Sequence, residues 1–353
     1  MSKIQEVRKE NAAVIAKFFA PKSRMAGGAK YRAEFFAEGG LKQQCYPICE
    51  DFPDEPDYVD ARGLLMNQPD VNVGLNLDAV IYTMEDPSII WAETTEYGEI
   101  ELCGKRRPFH GHSNHIFHLE NGKITVWRYF PNPYTLRDSL EMPFQKLPRF
   151  DYEEAVMQRY LKQEDPMHLV DIVEPDTTGG MQTRIRILDE YRDSLEDEKI
   201  RKHNARVIFQ YFGERVILPG GKKFRTSLYH EDGYTTVPYP HQDPTAELPN
   251  LFWEHYIAYG EPDPDLRYFI DCMYPTCNPN VFWMETKTNG WHPIAPDGTK
   301  LDGYWNHYTN YFEFKDGKVY HMREFYDPSK ERKIKGTNDT PLPEEAVDFY
   351  RYL

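Results

Sequence analysis

The residues best able to do chemistry lie on a hairpin near the end of the chain, where side chains can be placed by counting from the turn. Asp316-Gly317 is a dipeptide that favours a two-residue turn with positive φ, so Lys315 should pair with Lys318. Counting outward sets Thr309 opposite Glu324, His307 opposite Tyr326 and Tyr311 opposite Met322, all on one face. Phe312, Phe314, Val319 and Phe325 then form the other, apolar face. A carboxylate on a mixed aromatic face is a general acid/base candidate, because partial burial raises its pKa towards neutrality. The plain alternative is a strand glutamate facing water.

Further candidates lie upstream. Residues 247–266 read as a helix starting near Asn250, on which His255 and Tyr259 are one turn apart and reach the same small molecule. Either residue is equally at home as ordinary polar packing. Arg225 precedes the apolar pair Leu228 and Tyr229 and suits a clamp on a substrate carboxylate, or a plain surface charge. The stretch His110 to His118 carries four histidines, which invites a metal reading. No Cys, Asp or Glu ligand motif accompanies them, so they read as pocket lining or interface and no metal is assigned.

The elements that must hold these residues occur twice. RKENAAVIAKFF, from Arg8, recurs as RKHNARVIFQYF, from Arg201, with seven of twelve positions identical. Tyr31, Arg32, Phe35, Phe36, Glu38 and Gly40 reappear as Phe224, Arg225, Leu228, Tyr229, Glu231 and Gly233. PSIIWAET from Pro87 matches PNVFWMET from Pro279, and the hairpin around Asn121-Gly122 matches the one around Asp316-Gly317. Four blocks in one order mean a duplicated domain. Each copy opens with an amphipathic helix and closes with strands, an α+β plan. The expected division is 1–135, a connector over 136–196, and 197–353. In the connector, residues 152–164 and 183–197 read as helical pieces. The same outward count in the first copy puts Tyr129 at the place of Glu324, facing Asn114, with His112, Ile116 and His118 on that face.

Composition narrows the partners. Lys and Arg number 42 against 57 Asp and Glu, a net charge of −15, which repels nucleic-acid phosphates and anionic membrane surfaces. No apolar run reaches spanning length. Five cysteines without paired CxxC spacing, and no apolar leader, point to a cytoplasmic protein without a disulfide framework. Tyr and Phe number 25 and 20, which suits pockets for flat organic molecules as well as a Tyr-rich core. No glycine-rich nucleotide motif is present, so no cofactor is expected.

RTSLYHEDG, WEHYIAYGEPDPDLRYFIDCMYPTCNPNVFWMET and NHYTNYFEFKDGKVYHMREFYDP together resemble the phenazine-biosynthesis PhzA/PhzB proteins, from about Asn204 to Pro328. These are small relatives of the nuclear-transport-factor-2-like superfamily, which includes ketosteroid isomerase and polyketide cyclases. The resemblance implies two tandem cone-shaped domains, helices on a curved antiparallel sheet around a pocket, paired sheet to sheet as a pseudo-dimer within the chain. A homodimer through like halves stays open. It also implies cofactor-free condensation of two cyclic aminoketone carboxylic acids, by amine attack on ketone and loss of water. Glu324 falls on the family's acid/base glutamate, His255 on its pocket histidine and Arg225 on its substrate-orienting arginine. Tyr259 stands where the family has a serine, which changes the pocket's volume. The first copy keeps Arg32 but lacks the histidine and the glutamate, as a degenerate copy would. Two other functions fit the same residues: an isomerase or cyclase with Glu324 shuttling a proton beside a carbonyl, and a small-molecule binding protein without chemistry.

Overall fold

In the computed structural model the described residues are 2–46, 58–132, 134–140, 170–172, 181–236, 251–253, 267–291, 303–327 and 341–352. They fall into two compact units, the first holding 2–140, 170–191 and 341–352 and the second 192–327.

The first unit runs α1 (Lys3–Phe18), α2 (Gly28–Ala33), β1 (Phe36–Gln44), β2 (Val59–Asp60), α3 (Ala61–Asn67), β3 (Asn76–Thr83), β4 (Ile89–Leu102), β5 (Lys105–Glu120), β6 (Lys123–Pro131) and α4 (Thr135–Ser139), then β7 (Val170–Ile172) and β8 (Thr183–Leu188). The second runs α5 (Leu195–Tyr211), α6 (Gly221–Ser227), β9 (Tyr229–Thr236), β10 (Leu251–Trp253), β11 (Arg267–Pro275), β12 (Val281–Trp291), β13 (Tyr304–Lys315) and β14 (Lys318–Tyr326). A last helix, α7 (Glu344–Tyr352), belongs to the first unit. The sheet orders are β2-β1-β6-β5-β4-β3-β8-β7 and β10-β9-β14-β13-β12-β11, so the same six-strand arrangement occurs twice. Both units are α+β, as the repeat indicated. Their sheets are mixed rather than purely antiparallel, since β1 runs parallel to β6, β9 to β14 and β3 to β8.

The repeated helix block has a physical basis. Ser2 and Ser194 cap α1 and α5 by accepting from the amides of Gln5 and Asp197. Asn11 and Asn204 are buried and donate to the carbonyls of Pro87 and Pro279, which lead into β4 and β12. Arg8 donates to Met84 and Glu85, and Arg201 to Cys277, in the same turns. Each helix is thereby latched across its sheet, and its apolar side closes a core: Ile15 and Phe18 over Phe117 and Trp127, Ile208 and Tyr211 over Phe312 and Met322.

Two expectations are corrected here. Residues 183–188 are a strand rather than part of a helix. The alternation of TRIRIL sends Ile185 and Ile187 into the core, while Arg184 on the other side pairs with Asp78 of β3. The connector is therefore not wholly helical, and β8 completes the first sheet. The tail is not part of the second domain either. Ala346 and Phe349 of α7 pack with Leu75, Ile100, Leu102 and Phe109, and Glu345 accepts from the amide of Cys103 at 2.7 Å.

Both hairpin turns form as expected, with φ of 51° and 71° at Asn121 and Gly122 and 51° and 73° at Asp316 and Gly317. Past each turn, however, the returning strand carries one extra residue. His118 pairs with Val126 but Leu119 with Ile124, and Glu313 pairs with His321 but Phe314 with Val319, so Thr125 and Tyr320 are bulged. Gly122→Ala should cost roughly 1–2 kcal/mol from the left-handed backbone alone, since nothing crowds its added Cβ. Gly317→Ala should cost more, because its Cβ would lie 2.7 Å from His203 Nε2, which now bonds the Gly317 carbonyl. Urea denaturation of the two variants checks the ranking.

Candidate functional site

The bulge changes the face on which each candidate lies. Glu324 pairs with Asn310, not Thr309, and stands with Phe312 and Met322 on the side of the sheet that the helices cover. His307, Thr309 and Tyr311 lie on the opposite face, which corrects the expectation that they surround Glu324. One uncounted residue reverses every side chain beyond it. There His307 Nε2 is 3.1 Å from Glu285 Oε2, and the Tyr274 hydroxyl donates to Glu285 Oε1 at 2.8 Å. Arg323 lies over Tyr311, 4.1 Å from its ring centre. This layer is buried and internally paired. The first unit repeats its central pair, with His112 Nε2 3.1 Å from Glu93 Oε1.

On the helix side of the second sheet, Glu324 lies within electrostatic range of Arg225. The Gly220-Gly221 pair makes this possible. Gly220 has φ of 79°, and a Cβ on Gly221 would fall 2.0 Å from the Val216 carbonyl oxygen, so only glycines let α6 start this close to the preceding turn. The Arg225 guanidinium then sits 4.6 Å from the Tyr211 ring centre and 5.0 Å from that of Tyr268. Its Nε and Nη2 are buried without a hydrogen-bond partner, so two charged donors are available. A chain of hydroxyls runs behind it, Tyr211 to Tyr229 at 3.0 Å and Tyr229 to Thr235 at 2.5 Å. Opposite Glu324, Asn310 donates to Thr286 Oγ1 at 2.7 Å, while its own carbonyl oxygen is buried without a partner.

Burial pushes the Glu324 carboxyl up to about 7, against the pull of Arg225, which favours the carboxylate. Such a group exchanges its proton near neutral pH. His255 and Tyr259 lie outside the described residues. The four histidines of 110–118 are spread over both faces, and among the described residues no group of three His, Cys, Asp or Glu could hold a metal. No helix among them is long and apolar enough to cross a membrane.

In the first unit Tyr129 takes the place of Glu324, and its partner is His115 rather than Asn114. His112 and His118 leave that face, and Trp127 joins it. A small cavity of about 20 Å³ lies there, lined by Arg24, Arg32, Glu96, His115, Trp127 and Tyr129 among others. By that measure it has room for little more than a water-sized group. Sequence reasoning missed one residue beside it. Lys42 on β1 is buried, its Nζ 4.5 Å from the Trp127 ring centre and 5.4 Å from that of Tyr129, without a hydrogen-bond partner. Burial, and then Arg32, push its amine down to about 7. Strand alternation alone could have placed it, since Leu41 is exposed and Lys42 is the next residue.

A carboxyl raised on folding makes the native state hold its proton more tightly than the unfolded chain. Stability from Glu324 is therefore full below its ordinary value of 4.5 and declines as pH rises through about 7. Glu324→Gln should lose this dependence. Its stability relative to the parent should rise by about 2 kcal/mol between pH 4 and pH 8, a value reduced because the residue is partly rather than fully buried. Urea denaturation at both pH values checks it, and a difference that does not change with pH would show an unperturbed carboxyl.

Comparison with known proteins puts this geometry in context. No family model matches the chain. The phenazine biosynthesis protein PhzA of Pseudomonas fluorescens is 31% identical over 89 residues, which are 24% of this chain and 50% of the relative. The chain thus spans about half the length of the curated relative it matches. Among solved structures, the phenazine biosynthesis-related protein PhzB2 of Pseudomonas aeruginosa aligns over 42% of this chain and 96% of its own, at 21% identity and a TM-score of 0.34. A protein with a ketosteroid isomerase-like fold from Catenulispora acidiphila aligns over 39% and 97%, at 10% identity and a TM-score of 0.29.

Proposed function

We propose that the second unit is a cofactor-free acid/base enzyme of natural-product biosynthesis that condenses or cyclises an aminoketone-like carboxylic acid. The observation that carries this reading is Glu324, held near neutrality on the helix-covered side of the sheet beside a guanidinium with two unpaired donors. The similarity to the phenazine biosynthesis protein PhzA supports a place in natural-product biosynthesis.

The chemistry follows from the groups present. An arginine remains charged at any working pH, so Arg225 supplies Nε–H and Nη2–H to a substrate carboxylate. The faces of Tyr211 and Tyr268, already stacked on that guanidinium, suit a flat ring. When an amine adds to a ketone, the carbinolamine hydroxyl needs a proton to leave as water. The protonated Glu324 delivers it, and the resulting carboxylate takes the proton released from nitrogen. Holding two reactants in register contributes up to roughly 7–11 kcal/mol in well-oriented cases. By the family resemblance His255 would hold a carbonyl oxygen and Tyr259 would narrow the pocket.

Glu324→Gln should lower turnover of an aminoketone carboxylate by roughly 100- to 10,000-fold while binding survives. Arg225→Ala should instead weaken binding by about 1.5–3 kcal/mol, the worth of a charged hydrogen bond. In the parent enzyme kcat/KM should fall above pH 7, where the acid form of Glu324 is lost. Steady-state kinetics with the spontaneous reaction subtracted provide the measurement. Unchanged turnover in Glu324→Gln with intact binding would leave a binding protein without chemistry.

A further inference from the structure

The two units share a polar contact between neighbouring strands, and each completes it differently. In the first, His115 of β5 bonds Thr94 of β4 through Nε2 at 2.8 Å, and in the second, Asn310 of β13 bonds Thr286 of β12 through Nδ2 at 2.7 Å. The positions correspond. PSIIWAET and PNVFWMET end on Thr94 and Thr286, and His115 and Asn310 face Tyr129 and Glu324 across the two hairpins. The difference lies on the far side of the contact. Trp127 Nε1 donates to His115 Nδ1 at 3.1 Å, whereas Met322, which stands in the place of Trp127, has no hydrogen to donate. The carbonyl oxygen of Asn310, a residue 1% exposed, is left without a partner. We infer that Asn310 is a specificity-determining residue of the second unit's site, whose carbonyl oxygen accepts an N–H of the substrate's amine and sets that nitrogen beside Glu324. This rests on the reading of the site as one for an aminoketone-like carboxylic acid, and it names the side chain that recognises the amine.

The first unit fixes the direction of the amide in the second. An indole N–H only donates, so His115 Nδ1 is an acceptor and Nε2 carries the hydrogen given to Thr94. Burial keeps that ring neutral, with one hydrogen to give. Thr286 accepts from Asn310 in the same sense, which leaves the carbonyl oxygen, rather than the NH2 group, at the unfilled position. A buried acceptor without a donor is costly, and a ligand N–H relieves that cost.

The same placement suits the chemistry. Asn310 and Glu324 are direct cross-strand partners, and such residues on one face have Cβ atoms about 4.5–5.5 Å apart. A nitrogen held by one is within reach of the other. A carboxamide does not titrate, so it orients the N–H without removing its proton. The nitrogen lone pair stays free to attack a ketone, and the proton is left for the Glu324 carboxylate. In the first unit the corresponding acceptor is already filled by Trp127, so that copy has no such place for an amine.

The test is calorimetric titration of the full chain with the three aminobenzoate isomers, each against the methylbenzoate of the same substitution pattern. The members of each pair have nearly the same shape, and both carry the carboxylate for Arg225. Only the aminobenzoate has N–H donors. In the parent the best-bound aminobenzoate should exceed its methyl counterpart by roughly tenfold in affinity. In Asn310→Leu, which keeps the volume but has no acceptor, the preference should vanish or reverse while the methylbenzoate still binds. Asn310→His, the side chain of the first copy, offers Nδ1 as an acceptor and should keep the preference. Equal affinities of the two ligands in the parent, or equal losses of both in Asn310→Leu, would overturn the inference and leave the carboxylate site at Arg225 standing. Absence of binding by every benzoate would remove that site and the inference with it. Turnover is not read, so a site that binds without chemistry still shows the preference, and the role of Glu324 is judged separately.

Discussion

One extra residue in the returning strand of each hairpin, Thr125 and Tyr320, decides which side chains face the helices. Side chains on a strand alternate, so an inserted residue moves every later one to the other face. Without the bulge, Glu324 would take the place of Arg323 in the layer of His307, Tyr311 and Glu285, where the carboxylate already present is paired. With it, Glu324 stands beside the core of Phe312 and Met322 and near Arg225, where burial governs its proton. Thr125 secures its own bulge by donating to the carbonyl of His118 at 3.2 Å. Because both copies keep the bulge, the orientation of Glu324 and of Tyr129 towards the helices is a property of the duplicated framework rather than of either residue.

On that common framework the helix-covered faces of the two sheets carry buried titratable groups of opposite kind. Burial raises a carboxyl and lowers an amine, so one physical cause brings Glu324 and Lys42 to the same range near 7. Both groups are thereby brought to exchange their protons near neutral pH. The neighbouring arginine acts oppositely on the two. It favours ionised Glu324, which limits the rise, but it disfavours ionised Lys42, which adds to the fall.

Much of the framework was legible in the chain. The repeat, the helix-then-strand order and both turns are local signals, carried by Asn11 and Asn204, by apolar spacing and by Asn121-Gly122 and Asp316-Gly317. Glu324 and Arg225 could be named for the same reason, although their surroundings could not. A bulge leaves no mark in composition, since Thr and Tyr are ordinary strand residues, and the count outward from Lys315 failed at Tyr320. The strand at 183–188 escaped because TRIRIL is short and its pairing with β3 is non-local. The docking of α7 on the first unit was equally invisible, because no local pattern records a contact with residues more than two hundred positions away. The burial of Lys42 left no local signal, since the surface is the usual place for that residue type.

Holding Glu324 and Lys42 near neutrality has a cost that the framework must meet, since each is a group the native state would rather see uncharged. The latches bear on this directly. Asn11 and Asn204 are both buried, and each ties a helix to the turn before a central strand, so the helices cannot lift away and let water reach the sites. Water would return both groups to their ordinary ionisation. The strongest identities between the two copies therefore lie where they hold the helices shut, whereas the residues facing the pockets have been free to diverge. That division accounts for the coexistence of close structural repetition with dissimilar chemistry in one chain.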